Sequence, residues 1–145
     1  MFKHLLIATD GSELAQKAVA QGFDLAKSVN AKVTIVTVSE PWRLAAPAEV
    51  AVVFPVEEYE RAAAANAGKI LAEASAIGAK LQISCDTVHV KEKFPAEGIV
   101  ETAHARSCDL IVMASHGRRG LMRLVLGSEA HRVVTQSSTS VLICR

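Results

Sequence analysis

Cysteines and aromatic residues are both scarce in this chain. The three cysteines, Cys85, Cys108 and Cys144, are odd in number and widely spaced, and no C-x-x-C pair occurs. This spacing argues against a zinc ribbon and against a disulfide framework, so we expect reduced, buried thiols. Aromatic residues make up only 4% of the chain, which leaves little to stack against an isoalloxazine ring. The turn Asp10-Gly11-Ser12 is also too short for a flavin phosphate loop, so a flavin carrier is disfavoured.

The chain also lacks an excess of charge and a long apolar run. Its 16 basic and 15 acidic residues give a formal net charge of +1. That balance offers no footprint for nucleic acid and no polybasic patch for a membrane surface. The apolar stretch that ends at Asp10 is too short for a signal-peptide core, and no run approaches roughly 18 residues. We therefore expect a cytoplasmic protein without nucleic-acid or membrane partners.

What the chain does have is an alternation of apolar runs and helical periods. A length of 145 residues suits a single domain, which we place at residues 1–145. Strands alternating with helices predict an α/β fold with a parallel sheet covered on both faces. The strands are predicted at 5–8, 33–38, 83–90, 110–113 and 141–144. The helices are predicted at 15–29, 57–77, 95–103 and 128–136, with Gly78 just beyond the end of the second helix. A long irregular connection is predicted at 41–56.

The segment after the fourth predicted strand carries the strongest chemical signal. In open parallel sheets, ligands bind beyond the carboxyl ends of the strands, where the strand order reverses. Glycines let the backbone approach a ligand closely, and the N–H groups at a helix start favour anions. The segment is therefore either a phosphate-binding loop or a plain glycine-bearing connection with Ser128 as an N-cap. Its notable residues are the glycines Gly117, Gly120 and Gly127, the cations Arg118, Arg119 and Arg123, and the apolar Leu121, Leu124 and Val125. The three apolar residues are predicted to pack the middle of the segment against the rest of the domain.

Several common nucleotide and signalling motifs are missing. No G-x-x-x-x-G-K-[ST] sequence occurs, and no G-x-G-x-x-G follows a predicted strand, so neither a P-loop nor a dinucleotide fold is supported. A receiver-type signalling domain would need carboxylates at the first and third strand ends and a lysine near the fifth. Here the third strand runs into Val90-Lys91, and the fifth follows a polar run at 137–140. We set that class aside.

The same segment resembles the ATP-binding branch of the universal stress protein family. That branch carries G-x2-G-x9-G-[ST] after its fourth strand. Gly117, nine further residues, Gly127 and Ser128 match the motif, and Ala114 replaces its first glycine. The resemblance extends in element order over essentially the whole chain and includes the segments 6–13, 109–113 and 141–143.

The resemblance implies a fold, a ligand and a mode of action. The fold would be a three-layer α/β/α, adenine-nucleotide alpha-hydrolase-like arrangement of four helices on a five-stranded parallel sheet ordered 3-2-1-4-5. The ligand would be ATP, or AMP or ADP, with Mg²⁺. The protein would act in the stress response as a nucleotide-dependent switch or chaperone-like regulator with at most slow ATP hydrolysis. It would form a homodimer through its last strand and act on a regulatory protein partner.

By the same resemblance, seven residues would form the nucleotide site. The ribose would lie near Asp10, the adenine against the backbone of Val38, and the phosphates at Gly117, Gly127 and Ser128, with Met113 and Ala114 lining the pocket. Asp10 could also simply cap the first helix, and the two roles can coexist. We assign no catalytic residue, because His116 has no paired carboxylate in the sequence, and no metal ligand, because the histidines lack metal-ligand spacing. The alternative function is a degenerate nucleotide site in a protein that acts only through partners, and Ala114 is its one support.

Overall fold

The computed structural model describes residues 1–42, 55–117 and 125–145. Within the predicted connection, residues 43–54 lie outside the described parts, and so do Arg118, Arg119, Gly120, Leu121, Arg123 and Leu124 of the glycine-bearing segment. The strands are β1 (His4–Ala8), β2 (Lys32–Ser39), β3 (Asp86–Lys91), β4 (Leu110–Ala114) and β5 (Ser140–Cys144). The helices of the described residues are α1 (Glu13–Val29), α2 (Val56–Lys80), α3 (Pro95–Ala105) and α4 (Ser128–Gln136).

The five strands form one parallel sheet in the order β3-β2-β1-β4-β5. Ile7 at the centre of β1 pairs with Ile35 of β2 on one side and with Val112 of β4 on the other. The predicted strand order is therefore confirmed. The chain builds outward from β1 to β2 and β3, then returns to add β4 and β5 on the opposite side. The order reverses between β1 and β4, and this is where a ligand site is expected.

Helices cover both faces of the sheet, because successive strand side chains point to opposite sides. Leu5 and Ile7 join a core cluster with α1 and α2, whereas Leu6 and Ala8 join a second cluster with α3 and α4. Most of β1 and all of β4 are buried, as expected for apolar strands covered on both faces. The three-layer α/β/α architecture predicted from the sequence is confirmed.

The start of α1 differs from one of the sequence expectations. Its N-cap is Ser12, whose Oγ accepts a hydrogen bond from the N–H of Ala15 at 3.3 Å. The carboxylate of Asp10 instead accepts from the N–H of Ser12, with Oδ1 at 2.9 Å. The alternative in which Asp10 itself caps the helix is wrong, because a Ser two residues later performs that function.

The end of α2 is also later than predicted. The helix continues through Gly78 to Lys80, so the prediction that Gly78 stands just beyond its end is wrong. A Cβ atom at position 78 would lie 2.5 Å from ring carbons of Phe23, so this glycine allows α2 to approach α1 closely. The residue with left-handed backbone is Gln82, with a φ of 60°. The N–H of Ile83 still bonds to the carbonyl of Gly78, and β3 therefore starts at Asp86 rather than at residue 83.

Within the parts of the chain that the structure describes, none of the helices combines the length and apolarity needed to cross a lipid bilayer.

Candidate functional site

A cavity of about 450 Å³ opens where the carboxyl ends of β1, β2 and β4 meet the N-terminus of α4. It lies at the point where the strand order reverses. Its described lining includes every residue that the sequence analysis singled out for a nucleotide: Asp10, Val38, Met113, Ala114, Gly117, Gly127 and Ser128. The fold thus brings together residues that are up to 118 positions apart in the chain.

The turn after β1 presents Asp10 to this cavity. Gly11 has a φ of 79°, and its N–H donates to Oγ1 of Thr9 at 3.2 Å. With the bond from Ser12 to Asp10, these contacts hold the turn in one conformation. Oδ2 of Asp10 faces the loop after β4, because a Cβ atom at position 117 would lie only 2.7 Å from it. Gly117 therefore keeps space beside the carboxylate that any side chain would occupy.

The two ends of the glycine-bearing segment are joined by a backbone hydrogen bond. The N–H of Gly127 donates to the carbonyl oxygen of Ser115 at 2.8 Å. The N–H of Ser115 in turn donates to the carbonyl oxygen of Cys144, which extends the pairing of β4 with β5 by one bond. A Cβ atom at position 127 would lie 2.7 Å from the Ser115 oxygen. Since φ at Gly127 is −58°, this glycine is required for close approach and not for left-handed backbone.

Helix α4 begins directly at the cavity wall. Its N-cap is Gly127, and Ser128 is the first residue of the helix, so the interpretation of Ser128 as the N-cap is wrong. Ser128, Glu129 and Ala130 all border the cavity. The first N–H groups of a helix have no partner within it and carry a partial positive charge, which favours an anion at this wall. Val125, expected to pin the segment to the body, is 61% exposed and does not do so.

Part of the cavity wall is apolar. It is built from Val36, Val38, Ile99, Met113 and Leu126. Helix α3 comes close to β2 here, because a Cβ atom on Gly98 would lie 2.8 Å from Cγ2 of Val38. An apolar wall beside a few polar groups is the usual composition of a small-molecule site. This cavity offers a surface for a flat apolar ring and, next to it, a helix start for an anion.

Ala114 stands where the resembling motif has a glycine. It is the last residue of β4 and is buried. Positive φ values among the described residues occur at Gly11, Asn30, Gln82, Glu92 and Ser107, and Ala114 is not one of them. The backbone at this position is extended, and alanine adopts that backbone without strain.

The end of β2 is held by side chains from α2 and β3. The hydroxyl of Tyr59 donates to the carbonyl oxygen of Glu40 at 2.9 Å, and Nε2 of His89 lies 2.7 Å from Oγ of Ser39. Burial, together with the charge of Glu40, raises the pKa of Tyr59. Burial and the nearby Lys91 lower the pKa of His89. Both side chains therefore remain neutral near physiological pH and fix the edge of the cavity through hydrogen bonds.

The charged side chains on the described cavity lining are mainly acidic. Asp10, Glu40 and Glu129 border it, together with His116, whose Nδ1 lies 3.0 Å from Oγ of Ser115. Arg118, Arg119 and Arg123, which could equally form a solvated face or bind phosphates, lie outside the described residues. The described residues contain no group of three His, Cys, Asp or Glu side chains placed to hold a metal ion.

The contribution of α3 and the acidic residues of the lining could not be predicted from the sequence. Pro95 and Ile99 of α3 border the cavity, and so do Glu40 and Glu129. In the sequence, Pro95 and Ile99 stand out only as the start and the middle of the helix predicted at 95–103. Nothing local distinguishes Glu129 from the many acidic residues that stand in a first helical turn. Only the packing of α3 against β2 and α4 brings these residues to the site.

Comparison with known proteins places these features in a family context. A family model described as the Universal stress protein family matches residues 1–145. Universal stress protein YxiE of Bacillus subtilis is 30% identical over 149 residues, with 100% of each chain covered. The structure of universal stress protein UspA from Lactobacillus plantarum matches with a TM-score of 0.82 at 24% identity, covering 99% of this chain and 97% of the other. A universal stress protein crystallised in complex with cAMP matches with a TM-score of 0.74 at 29% identity, covering 99% and 97%.

Proposed function

The chain belongs to the universal stress protein family, and from this premise we propose that its cavity binds an adenine nucleotide: ATP, ADP or AMP. The observation that carries the proposal is the pairing of an apolar wall at Val38 with a helix start at Gly127 and Ser128 in one cavity. A related universal stress protein, 29% identical, was crystallised with cAMP, an adenine nucleotide. We propose that the bound nucleotide makes this cytoplasmic domain, residues 1–145, a switch or chaperone-like regulator in the stress response.

The arrangement of the lining supports one orientation of the nucleotide. The adenine would lie on the apolar wall and use the backbone at Val38, and Met113 would close that side. The ribose would lie near Asp10, whose carboxylate accepts hydrogen bonds from hydroxyl groups. The phosphates would face Gly117, Gly127 and Ser128, where a glycine turn precedes a helix start. Ala114 would line the pocket through its backbone.

A triphosphate would enter this cavity most easily with Mg²⁺. The described lining carries carboxylates, and Mg²⁺ typically uses one or two carboxylates together with substrate phosphates. Asp10 is the lining carboxylate that lies nearest the turn at Gly117. The cation would neutralise phosphate charge and orient the chain of phosphates. Because the described residues hold no three-ligand metal cluster, the phosphates themselves would supply much of the coordination.

Binding, rather than turnover, fits the described site. Efficient phosphoryl transfer needs a positioned base and strong stabilisation of the transferring group. The hydrogen-bonding side chain beside His116 is the neutral hydroxyl of Ser115, which does not activate an imidazole as a carboxylate would. We propose at most slow ATP hydrolysis.

The exposed edge of β5 supports a homodimer. This strand is the last of the sheet and pairs with β4 on one side. Leu142 is 39% exposed there, and an apolar strand edge favours pairing with another chain. We propose an isologous contact about a two-fold axis. Light scattering is expected to give about twice the chain mass of 15.4 kDa, and a monomer at micromolar concentration would contradict the contact. A regulatory protein partner would bind this dimer.

Mass spectrometry of small molecules released from the purified, denatured protein tests the nucleotide proposal. We expect an adenine nucleotide to be recovered after the protein is isolated without added ligand. A sample first stripped by refolding is expected to recover thermal stability when AMP or ATP with Mg²⁺ is added. The alternative, a degenerate site in a protein that acts only through partners, predicts neither released nucleotide nor a thermal shift.

A further inference from the structure

The start of α3 borders the cavity, in addition to the starts of α1 and α4. Helix α3 begins with Pro95, which has no N–H group, after Phe94, whose side chain has no hydrogen-bonding atom. The first N–H group of α3 therefore belongs to Ala96. It donates to Oε2 of Glu129 at 2.9 Å, so an acidic residue of α4 caps α3 from outside that helix. The N-terminus of α3 is thereby occupied, whereas α4 begins at the cavity wall with Gly127 and Ser128.

The carboxylate of Glu129 is held in place by its other oxygen. Oε1 accepts a hydrogen bond from the guanidinium of Arg132 at 3.1 Å, one turn further along α4. The side chain of Glu129 is only 33% exposed, and the residue borders the cavity directly after Ser128. The carboxylate of Glu129, ion-paired with Arg132, is therefore held beside the helix start at which the phosphates are proposed to lie. Arg132 is not among the described residues that border the cavity.

We propose that Glu129 is a specificity-determining residue, which makes the site favour a nucleoside monophosphate over a triphosphate when no divalent cation is present. The inference rests on the proposed nucleotide function. Each phosphate added beyond the first brings further negative charge towards the end of the cavity that Glu129 borders. Like charges in a cleft with low-dielectric walls repel over several ångströms, and salt or a bound cation screens that repulsion.

The variant Glu129→Gln separates charge from position. Glutamine has nearly the same shape and keeps an oxygen that can accept from Ala96, but it carries no charge. The matched control is Glu97→Gln, since Glu97 is an exposed residue in the first turn of α3 and is not among the described cavity residues. Both variants and the wild-type protein are titrated with AMP and with ATP in the presence of a chelator, after their melting temperatures are compared.

We expect Glu129→Gln to tighten ATP binding by about fivefold while AMP binding changes by less than about twofold, and Glu97→Gln to alter neither. The gain for ATP is expected to shrink when Mg²⁺ is added. An unchanged ratio of the ATP and AMP affinities in a folded Glu129→Gln protein overturns the inference and leaves the proposed function intact. An equal loss of both affinities at an unchanged melting temperature also overturns it, because Glu129 would then only position α4. A wild-type protein that binds neither nucleotide overturns the proposed function and, with it, this inference.

Discussion

A Cβ atom on Gly117 would lie 2.7 Å from Oδ2 of Asp10, far inside ordinary packing distance. The turn after β1 and the loop after β4 thus meet across the point where the strand order reverses. The sequence separates these residues by more than 100 positions. Because the proposed ribose and phosphate contacts lie on either side of this point, we expect the space between the two residues to be needed for nucleotide binding.

Replacing Gly117 by alanine is expected to weaken nucleotide binding by about tenfold, or about 1.4 kcal/mol. The added methyl group would displace the end of the Asp10 side chain, whose carboxylate faces the proposed ribose position. Calorimetric titration with AMP measures the change. Gly68→Ala is the matched control, because a Cβ atom at position 68 meets nothing within 4 Å. That control should keep full affinity and, as a glycine-to-alanine change within α2, gain up to about 1 kcal/mol of stability. Equal affinities in the two variants would contradict the account.

Replacing Ala114 by glycine is expected to change nucleotide affinity by less than about tenfold. The backbone at this position is extended, and alanine retains the N–H group that a phosphate would use. Titration with ATP and Mg²⁺ against the wild-type protein makes the comparison. If glycine produced binding in a protein that otherwise shows none, the natural chain would have a degenerate site and our functional proposal would be wrong.

Replacing Asp109 by asparagine is expected to destabilise the protein by about 1 kcal/mol at neutral pH. The carboxylate of Asp109 joins β1 to β4, with Oδ2 accepting from the N–H of Lys3 at 2.7 Å and Oδ1 from that of His4 at 3.0 Å. Burial alone would raise the pKa of Asp109, but these N–H groups outweigh it and lower the pKa.

The stabilisation from Asp109 should therefore be present above the ordinary aspartate pKa of about 3.9 and be lost as the pH falls through the lowered value in the folded protein. Urea unfolding at neutral pH and near pH 3 measures this dependence. The difference between the wild-type protein and Asp109→Asn should shrink in acid, and Asp24→Asn, at an exposed position of α1, should show no such change. A pH-independent difference would exclude the carboxylate as its cause.

The three free thiols are expected to react at different rates in the folded protein. Burial, and then the nearby charge of Asp109, raises the pKa of Cys108 to about 11, and burial raises the pKa of Cys144. Cys85 is only half-buried. Since the thiolate is the reactive form, iodoacetamide near pH 8 should label Cys85 first, and all three cysteines at similar rates after unfolding. Peptide mass spectrometry measures the order in which the three cysteines are labelled. Labelling of Cys108 before Cys85 would contradict the burial of Cys108.

The raised pKa of Cys108 also has a consequence for stability. A thiol that stays protonated to higher pH in the folded protein than in the unfolded protein stabilises the fold wherever both forms are protonated. This contribution should be complete below the ordinary thiol pKa and be lost as the pH rises towards about 11. The variant Cys108→Ala should remove this pH dependence of the free energy of unfolding between the ordinary thiol pKa and about 11. It would also leave a small cavity in the core.

The layers of the fold could be predicted from the sequence because the pattern of apolar residues is local. Ile7 and Val112 lie in continuous apolar runs, and such runs predict strands that are covered on both faces. The order of the strands, in contrast, came only through the family resemblance. Gly78 shows where local reading fails: a glycine near a helix end is commonly a stop signal, yet here it makes room for Phe23 of another helix.

The same distinction applies to the candidate site. Asp10, Gly117 and Gly127 could be identified because a strand end and a glycine spacing are visible in the sequence. Glu129 could not, because its role depends on a hydrogen bond to Ala96, a residue 33 positions away. The position of the α4 N-cap also depends on a contact across the loop, since the carbonyl of Ser115 bonds to Gly127.

The central claim, an adenine nucleotide held at the start of α4, is tested most directly by calorimetric titration of the wild-type protein and of Gly127→Val. A valine at position 127 would collide with the carbonyl oxygen of Ser115, where even a Cβ atom would lie at 2.7 Å. The account predicts saturable binding of AMP, and of ATP with Mg²⁺, by the wild-type protein and no measurable binding by a folded Gly127→Val protein. An absence of heat with the wild-type protein at millimolar nucleotide, or undiminished binding by the variant, would contradict it.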